Sequence, residues 1–286
     1  MAKKRKAEES NPFLAELRAA QASLPRAPRV LDGSLADDAR AELWNAVCEA
    51  GDALREKYSW ACPDERALRA IVHFAPGGVV EVGAGRGYWA KLLRERGVNV
   101  DAFDRVKAAS PWTEVGVGGP EVLLGGGEDA RLLLLCYPDD FESDDAGGGE
   151  EEEEDEDDDD DDDEAPLSMS LAARCLDAYR GDVVVHIGEL FGDTLSLAQA
   201  PWGRTTGGDF HAQLAAGWHC VLRLDLPRWP MHRDTLSVWR RTTVGARFGG
   251  DDEDDDEADA WADIPEEERI LSDAAAPCAA HLLEHA

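Results

Sequence analysis

One acid and three glycines offer the clearest chemistry in this sequence of 286 residues. Glu81 is followed by Gly83, Gly85 and Gly87, and a single residue separates each glycine from the next. Glycine tolerates the left-handed backbone of tight turns and lets a ligand approach the main chain. An apolar segment precedes the turn and an amphipathic segment follows it. We therefore expect a strand, a turn and a helix start, the junction at which α/β proteins usually hold a ligand.

The spacing of the glycines and the charge of Glu81 distinguish two kinds of ligand. A dinucleotide site favours G-x-G-x-x-G, whereas the third glycine here comes one residue early. Glu81 would repel a pyrophosphate but suits a ligand with ammonium and sulfonium charges, which favours S-adenosylmethionine over NAD. Asp104 ends the next predicted strand, where a carboxylate can accept hydrogen bonds from both ribose hydroxyls, and Asp101 is the reserve candidate. The alternative is a glycine turn that serves only close packing.

Candidate acceptor-site residues follow later strands. Transfer of a sulfonium methyl group needs mainly an aligned acceptor, which would lie above the carboxyl ends of the strands. Tyr137, after the fourth strand, could stack on a planar acceptor, and Asp139 could accept a proton. Glu189, after the fifth strand, could orient the acceptor, and His211 could act as a base near neutral pH. Each of three residues also has a structural alternative. Tyr137 could pack at the strand end, and Asp139 could simply begin the acidic loop. His211 could be exposed behind Asp209, which would cap the helix.

Predicted strands and helices alternate along the chain, and they position these residues. Residues 131–137 form a continuous apolar run, as expected for a strand that is covered on both faces. The alternation predicts an α/β protein with a doubly wound, mostly parallel sheet and an antiparallel closing strand. Strands are expected from residue 79 and at 98–104, 113–117, 131–137, 182–187, 218–226 and 235–243. Helices are expected at 12–24, 34–57, 63–73, 88–96, 167–180 and 209–216.

Charge divides the chain into segments. The net charge is −32, but residues 139–164 contain 20 acidic residues and residues 251–259 contain 8, in both cases without Lys or Arg. We predict a disordered N-terminal segment at 1–33, a domain at 34–245 that a disordered acidic loop interrupts at 139–165, and an acidic, largely disordered tail at 246–286. The acidic runs could recruit a basic protein by electrostatic steering, but a tolerated insertion is the favoured interpretation.

Composition excludes several classes of site. The six cysteines are scattered without metal-like Cys/His spacing, so we expect free thiols, a reducing compartment and no metal site. No apolar run reaches the ~20 residues of a membrane span, and no broad basic stripe indicates a nucleic-acid surface. We expect a cytoplasmic or nuclear protein. The basic cluster at residues 3–6 could be an import signal, although a solvated start is favoured.

The pattern of Glu81, Gly83, Gly85 and Gly87 with Asp104 resembles motif I and the ribose acid of the class I S-adenosylmethionine-dependent methyltransferases. This resemblance covers residues 58–243 and implies a seven-stranded sheet. It also implies that the glycine turn and Glu81 line the methionine and ribose part of the cofactor, and that Asp104 holds the ribose hydroxyls.

Three further stretches, Y-S-W-A-C-P, L-C-Y-P and W-P followed by D-T-L-S-V-W-R-R, are similar to an uncharacterised methyltransferase-like family without an assigned substrate. Amino-methylating relatives carry (Asp/Asn)-Pro-Pro-aromatic after the fourth strand, whereas this chain has Cys136, Tyr137, Pro138 and Asp139 there. The favoured function is therefore methyl transfer to an unknown acceptor. A catalytically inactive protein whose acidic runs hold basic partners is the alternative, and a nicotinamide-dependent oxidoreductase is disfavoured.

Overall fold

The computed structural model describes residues 11–24, 33–124, 131–138, 169–190, 205–230 and 232–242. Its helices are α1 (Pro12–Ser23), α2 (Asp37–Lys57), α3 (Glu65–Phe74), α4 (Tyr88–Arg94), α5 (Leu171–Ala178) and α6 (Gly208–Gly217), with a 3-10 turn at Pro120–Leu124. Its strands are β1 (Val79–Val82), β2 (Val100–Asp104), β3 (Gly116–Val117), β4 (Leu132–Cys136), β5 (Val183–Gly188), β6 (Trp218–Asp225) and β7 (Thr235–Arg241). The predicted acidic loop and acidic tail lie outside the described residues.

The seven strands form one sheet in the order β3-β2-β1-β4-β5-β7-β6. Neighbours from β3 to β5 pair in parallel, and β7 lies antiparallel between β5 and β6. The chain starts the sheet at its middle with β1 and returns to the other side of β1 with β4, which creates a crevice at their carboxyl ends. This arrangement confirms the predicted doubly wound, mostly parallel sheet with an antiparallel closing strand, and it has the seven strands that the resemblance implies.

Both faces of the sheet are covered, because the strands alternate their side chains between two apolar layers. Val79, Leu132 and Leu134 join the layer beneath the first four helices, whereas Val80 and Leu133 join the layer beneath α5 and α6. Glu81 follows the alternation of Val79 and therefore faces the first layer. This face also carries the cavity described below.

The N-terminal segment differs from the predicted disorder in the part that the structure describes. Asn11 caps α1 by accepting a hydrogen bond from the N–H of Leu14, and Phe13, Leu14 and Leu17 are buried in the first apolar layer. Phe13 stacks on Tyr58 with ring centroids 4.8 Å apart. The helix at 12–24 was expected from its apolar residues, but its docking was not, because a short amphipathic helix does not specify its packing partner.

Two helix starts also differ from the sequence expectation. The second helix begins at Asp37, preceded by Ala36, rather than at the expected residue 34. The fifth begins at Leu171, and Ser170 accepts a hydrogen bond from the N–H of Ala173 as its cap. The differences are of a few residues and leave the order of elements as predicted.

Candidate functional site

The three glycines after β1 all adopt positive φ angles, 77° at Gly83, 54° at Gly85 and 74° at Gly87. They serve different purposes. A side chain at Gly87 would place its Cβ 2.7 Å from a methyl of Val115, whereas one at Gly85 would meet nothing within 4 Å. Gly87 therefore lets the turn pack against the segment before β3, and Gly85 leaves open space beside the main chain.

Glu81 is a buried acid without full hydrogen bonding. It is 1% exposed, and its Oε2 has no hydrogen-bond partner among the described residues. Burial raises the pKa of Glu81 to about 8, although the charge of Arg94 and the main-chain N–H of Ala90 act in the opposite direction. An unpaired buried carboxyl is costly to keep, so it points to a ligand that supplies charge or a donor.

Asp104, at the end of β2, links the glycine turn to the next loop. Its Oδ2 accepts a hydrogen bond of 2.7 Å from the N–H of Gly85, and its Oδ1 accepts one of 2.9 Å from the N–H of Val106. Each carboxylate oxygen keeps a second acceptor position, so the side chain can still take two hydroxyl donors. The Val106 side chain beside it is 70% exposed and offers an uncovered apolar surface.

A cavity of about 150 Å³ lies over the glycine turn, between it and the segment that leads from α2 to α3. Glu81, Gly83 and Gly85 form one side of it. The rest of the wall includes Tyr58, Trp60, Trp89 and Cys136. The structure therefore brings the predicted acid and two of the predicted glycines to one opening, and it adds aromatic residues that are consistent with the stretch Y-S-W-A-C-P.

The aromatic wall rests on α1. Tyr88, the first residue of α4, donates a hydrogen bond of 2.8 Å from its hydroxyl to Oδ1 of Asn11. Tyr58 stacks on Phe13 and donates to a carboxylate oxygen of Glu16 at 2.8 Å. Helix α1 therefore helps to position the wall of the cavity, a role that the sequence analysis missed.

Tyr137 follows β4 with a φ of 49°, the only positive φ of a non-glycine residue in the described chain. Its hydroxyl donates to Oδ1 of Asp234, and its ring stacks on Trp60 at 5.6 Å. Burial, followed by the charge of Asp234, holds the pKa of the Tyr137 hydroxyl well above its ordinary value. Trp60 is 54% exposed and lines the cavity, so Tyr137 supports the cavity from behind Trp60.

Asp234 and Glu189 form a second acidic region that the sequence analysis recognised only in part. Asp234 is 4% exposed, and burial raises its pKa to about 7. Glu189 is 3% exposed, and its Oε1 accepts a hydrogen bond of 2.6 Å from the N–H of Arg233. Of the predicted acceptor-side residues, Tyr137 and Glu189 therefore meet around Asp234. Asp234 was missed because it precedes β7, far along the chain from both.

His211 belongs to the other side of the sheet. Its Nε2 lies 2.9 Å from the hydroxyl of Thr206. Burial lowers the pKa of the nearby His186 to about 3, and the charge of His211 adds to this shift. His186 contacts Phe210 in the layer beneath α5 and α6. Asp209 holds Ser170 through two hydrogen bonds of 2.8 Å, a packing role. Asp139 lies outside the described residues, so its role stays a prediction.

Within the described ranges, no helix is both long and apolar enough to cross a membrane. No family model matches this sequence, and neither does any curated protein.

Solved structures with a similar chain path include several methyltransferases. A TehB-like SAM-dependent methyltransferase from Corynebacterium glutamicum is 17% identical, with 72% of this chain and 97% of that chain covered and a TM-score of 0.36. Magnesium protoporphyrin IX methyltransferase from Synechocystis, with bound SAH, is 10% identical, with 75% and 92% covered and a TM-score of 0.38. The CcbJ methyltransferase from Streptomyces caelestis is 12% identical, with 62% and 94% covered and a TM-score of 0.37. The strand order given above identifies the fold independently of these remote likenesses.

Proposed function

We propose that this chain binds S-adenosylmethionine at the glycine turn and transfers its methyl group to an acceptor beside Trp60. The observation that carries the proposal is Glu81, a buried carboxyl with an unpartnered oxygen at the wall of the cavity. A cationic ligand would stabilise the ionised form of this carboxyl, whereas the pyrophosphate of a dinucleotide would oppose its ionisation. S-adenosylmethionine carries an ammonium and a sulfonium charge and fits this chemistry.

The other residues of the turn fit the remainder of that ligand. Gly85 leaves the main chain open, and the spare acceptor positions of Asp104 suit the ribose hydroxyls. The exposed side chain of Val106 offers an apolar surface for the adenine. The cavity of about 150 Å³ would hold only the methionine end, and the nucleoside would extend over Asp104.

When bound, S-adenosylmethionine supplies an electrophilic methyl group on sulfur. The chain must then hold the acceptor in line with that methyl group and exclude water. Trp60 and Cys136 line the cavity opposite the glycines, so we infer that the acceptor enters on their side. The exposed ring of Trp60, supported by Tyr137, would stack on a planar acceptor.

Calorimetry tests the cofactor assignment. We expect S-adenosylmethionine and its demethylated product to bind in the micromolar range, and NAD not to bind. D104A and G85V should each weaken binding at least tenfold. D101A is the matched control, because Asp101 lies on the same strand and pairs with Arg131 instead. Binding of NAD with no response to S-adenosylmethionine would overturn the proposal.

A second experiment tests the chemistry. Cell extract incubated with labelled S-adenosylmethionine should acquire an additional labelled product when the wild-type protein is added, but not when D104A is added. If the cofactor binds but no extract fraction is labelled, the alternative of an inactive binding protein becomes the better explanation. A basic partner for the acidic runs would then be sought by salt-sensitive capture, with a chain that lacks residues 141–164 as the control.

A further inference from the structure

Three potential metal ligands converge near the carboxyl end of β5 and the start of β7. Ligand atoms of Glu189, His232 and Asp234 lie within 4.8 Å of one another. The two carboxyl groups are almost fully buried, and the His232 side chain is 32% exposed. Histidine and carboxylate ligands are the set that suits divalent zinc, manganese or iron.

The spacing within the cluster is too wide for direct hydrogen bonding at one contact. His232 Nδ1 lies 4.0 Å from Oε1 of Glu189, beyond the 2.7–3.2 Å of a hydrogen bond. Two ligand atoms that each lie about 2.1 Å from one ion can be about 3–4 Å apart, so the observed separation suits a shared ion. Small movements would bring the ligand atoms that lie farthest apart, at up to 4.8 Å, to the separation that one shared ion requires.

The carboxyl groups are already oriented by neighbours that are not ligands. Oε1 of Glu189 accepts the N–H of Arg233, and Oδ1 of Asp234 accepts the hydroxyl of Tyr137. Each contact engages one oxygen of its carboxyl group and restrains the other. Hydrogen bonds of this kind commonly hold metal-binding carboxylates in place. A divalent cation would also neutralise two acids that are buried close together.

Arg55 opposes a bound cation at this cluster. Its Nη1 lies 3.4 Å from Nε2 of His232, and because a guanidinium only donates, Nε2 accepts this contact. The neutral ring then carries its hydrogen on Nδ1, facing Glu189. Binding through Nδ1 would move that hydrogen to Nε2 and break the contact with Arg55. The guanidinium charge would therefore compete with the ion.

We propose that Glu189, His232 and Asp234 bind one divalent transition-metal ion, through one oxygen of each carboxylate and Nδ1 of the imidazole. Three protein ligands leave coordination positions open, as in zinc sites that act on a substrate. The cluster lies behind Tyr137 and Trp60, on the acceptor side of the cavity. No metal site was expected because the sequence has no short Cys/His spacing, whereas this cluster joins residue 189 to residues 232 and 234.

The test uses the full chain after treatment with a chelator. Zn²⁺ is titrated by calorimetry and Co²⁺ by visible absorbance, both in excess Mg²⁺ so that the acidic runs of the sequence are saturated with a hard cation. We expect one Zn²⁺ site, and a Co²⁺ spectrum that shows nitrogen ligation. E189Q, D234N and H232Q should each weaken Zn²⁺ binding at least tenfold, whereas D225N, at an exposed acid on β6, should not change it.

Arg55→Met provides the opposite test, because it should strengthen Zn²⁺ binding severalfold by removing the competing charge. This variant keeps all three proposed metal ligands, so its result does not depend on whether a chain with an altered ligand still folds. Absence of a Zn²⁺ site in the wild-type chain would overturn the proposal. So would equal binding by the wild type and the three ligand variants, or weaker binding by Arg55→Met.

Discussion

The two sides of the cavity are built in different ways. On the side of β1 and β2, the main chain of the glycine turn and Glu81 line the opening, and Asp104 beside them is held by the N–H groups of Gly85 and Val106. On the side of β4, β5 and β7, side chains dominate: Tyr137 donates a hydrogen bond to Asp234, and a carboxylate oxygen of Glu189 lies within 4.8 Å of one of Asp234. The first arrangement suits a constant ligand such as a cofactor, and the second leaves room for a family of acceptors.

The largest loss of stability on the cofactor side is expected when its support by α1 is removed. Phe13 is 2% exposed and stacked on Tyr58, so Phe13→Ala should lower the free energy of unfolding by about 4 kcal/mol. Leu124, which is 67% exposed, gives the control, because Leu124→Ala should change stability by less than about 0.5 kcal/mol. Urea denaturation measures both. Similar values for the two variants would show that α1 does not support the wall.

Substitutions at two glycines of the turn should distinguish a role in packing from a role in ligand binding. Gly87→Val combines a positive φ with a contact of 2.7 Å to Val115, and should cost about 3 kcal/mol of stability. Gly85→Val meets no neighbour within 4 Å and should cost only about 1–2 kcal/mol through its positive φ. Gly85→Val should nevertheless abolish cofactor binding measured by calorimetry. Equal destabilisation by the two variants would contradict this division of roles.

The pH dependence of cofactor binding tests whether Glu81 pairs with a charge on the cofactor. Its pKa of about 8 means that the carboxyl is protonated at neutral pH in the free protein. If a cationic ligand requires the ionised form, affinity should rise about tenfold per pH unit from pH 6 to 7.5, with release of one proton. Glu81→Gln should bind more weakly and lose this pH dependence. A flat profile for the wild type would argue against direct charge pairing.

The same group predicts how stability depends on pH. The folded-state pKa of Glu81 lies above its ordinary value of 4.5, so between pH 4.5 and 8 the native state binds more protons than the unfolded state. Stability due to this group is therefore fully present below pH 4.5 and is lost as the pH rises toward 8. Asp234 contributes in the same direction up to about pH 7. Denaturation of Glu81→Gln across this range should show a shallower decline than the wild type.

The smallest expected effect tests the acceptor side. Tyr137→Phe removes the donor to the buried Asp234 and should cost about 1–2 kcal/mol. Tyr58→Phe removes a contact to the half-buried Glu16 and should cost less than about 1 kcal/mol. A double-mutant cycle of Tyr137→Phe with Asp234→Asn should show coupling. Additive losses would mean that the two side chains do not interact.

The cofactor side could be predicted from the sequence because its parts are local. Glu81 and the glycines are contiguous, and Asp104 ends the very next strand. β1, β4 and β5 could be predicted for the same reason, since each is an apolar run with a helix after it. The seven-stranded sheet with an antiparallel closing strand was expected from the sequence and the resemblance, and the structure confirms it.

The acceptor side could not be predicted to the same degree. Tyr137 and Glu189 were recognised as strand-end residues, but Asp234 and His232 occupy a connection without a pattern of its own. Their approach to Glu189 depends on β7 inserting between β5 and β6, which is a tertiary event. The docking of α1 was missed for a similar reason: Asn11 contacts Pro63 and Tyr88, which are distant in sequence.

The contacts of α1 with residues that are distant in sequence also constrain the order in which the chain folds. Its residues emerge from the ribosome before every strand, yet Asn11 and Phe13 contact Tyr88, and Gln21 donates to the carbonyl of Arg228. The helix can therefore dock only after α4 has formed, and its contact with Arg228 forms only after β6 has been made. We expect a late kinetic phase in which the aromatic residues around Tyr58 become protected. A nascent chain stalled before α4 would hold α1 exposed, as a segment available to chaperones.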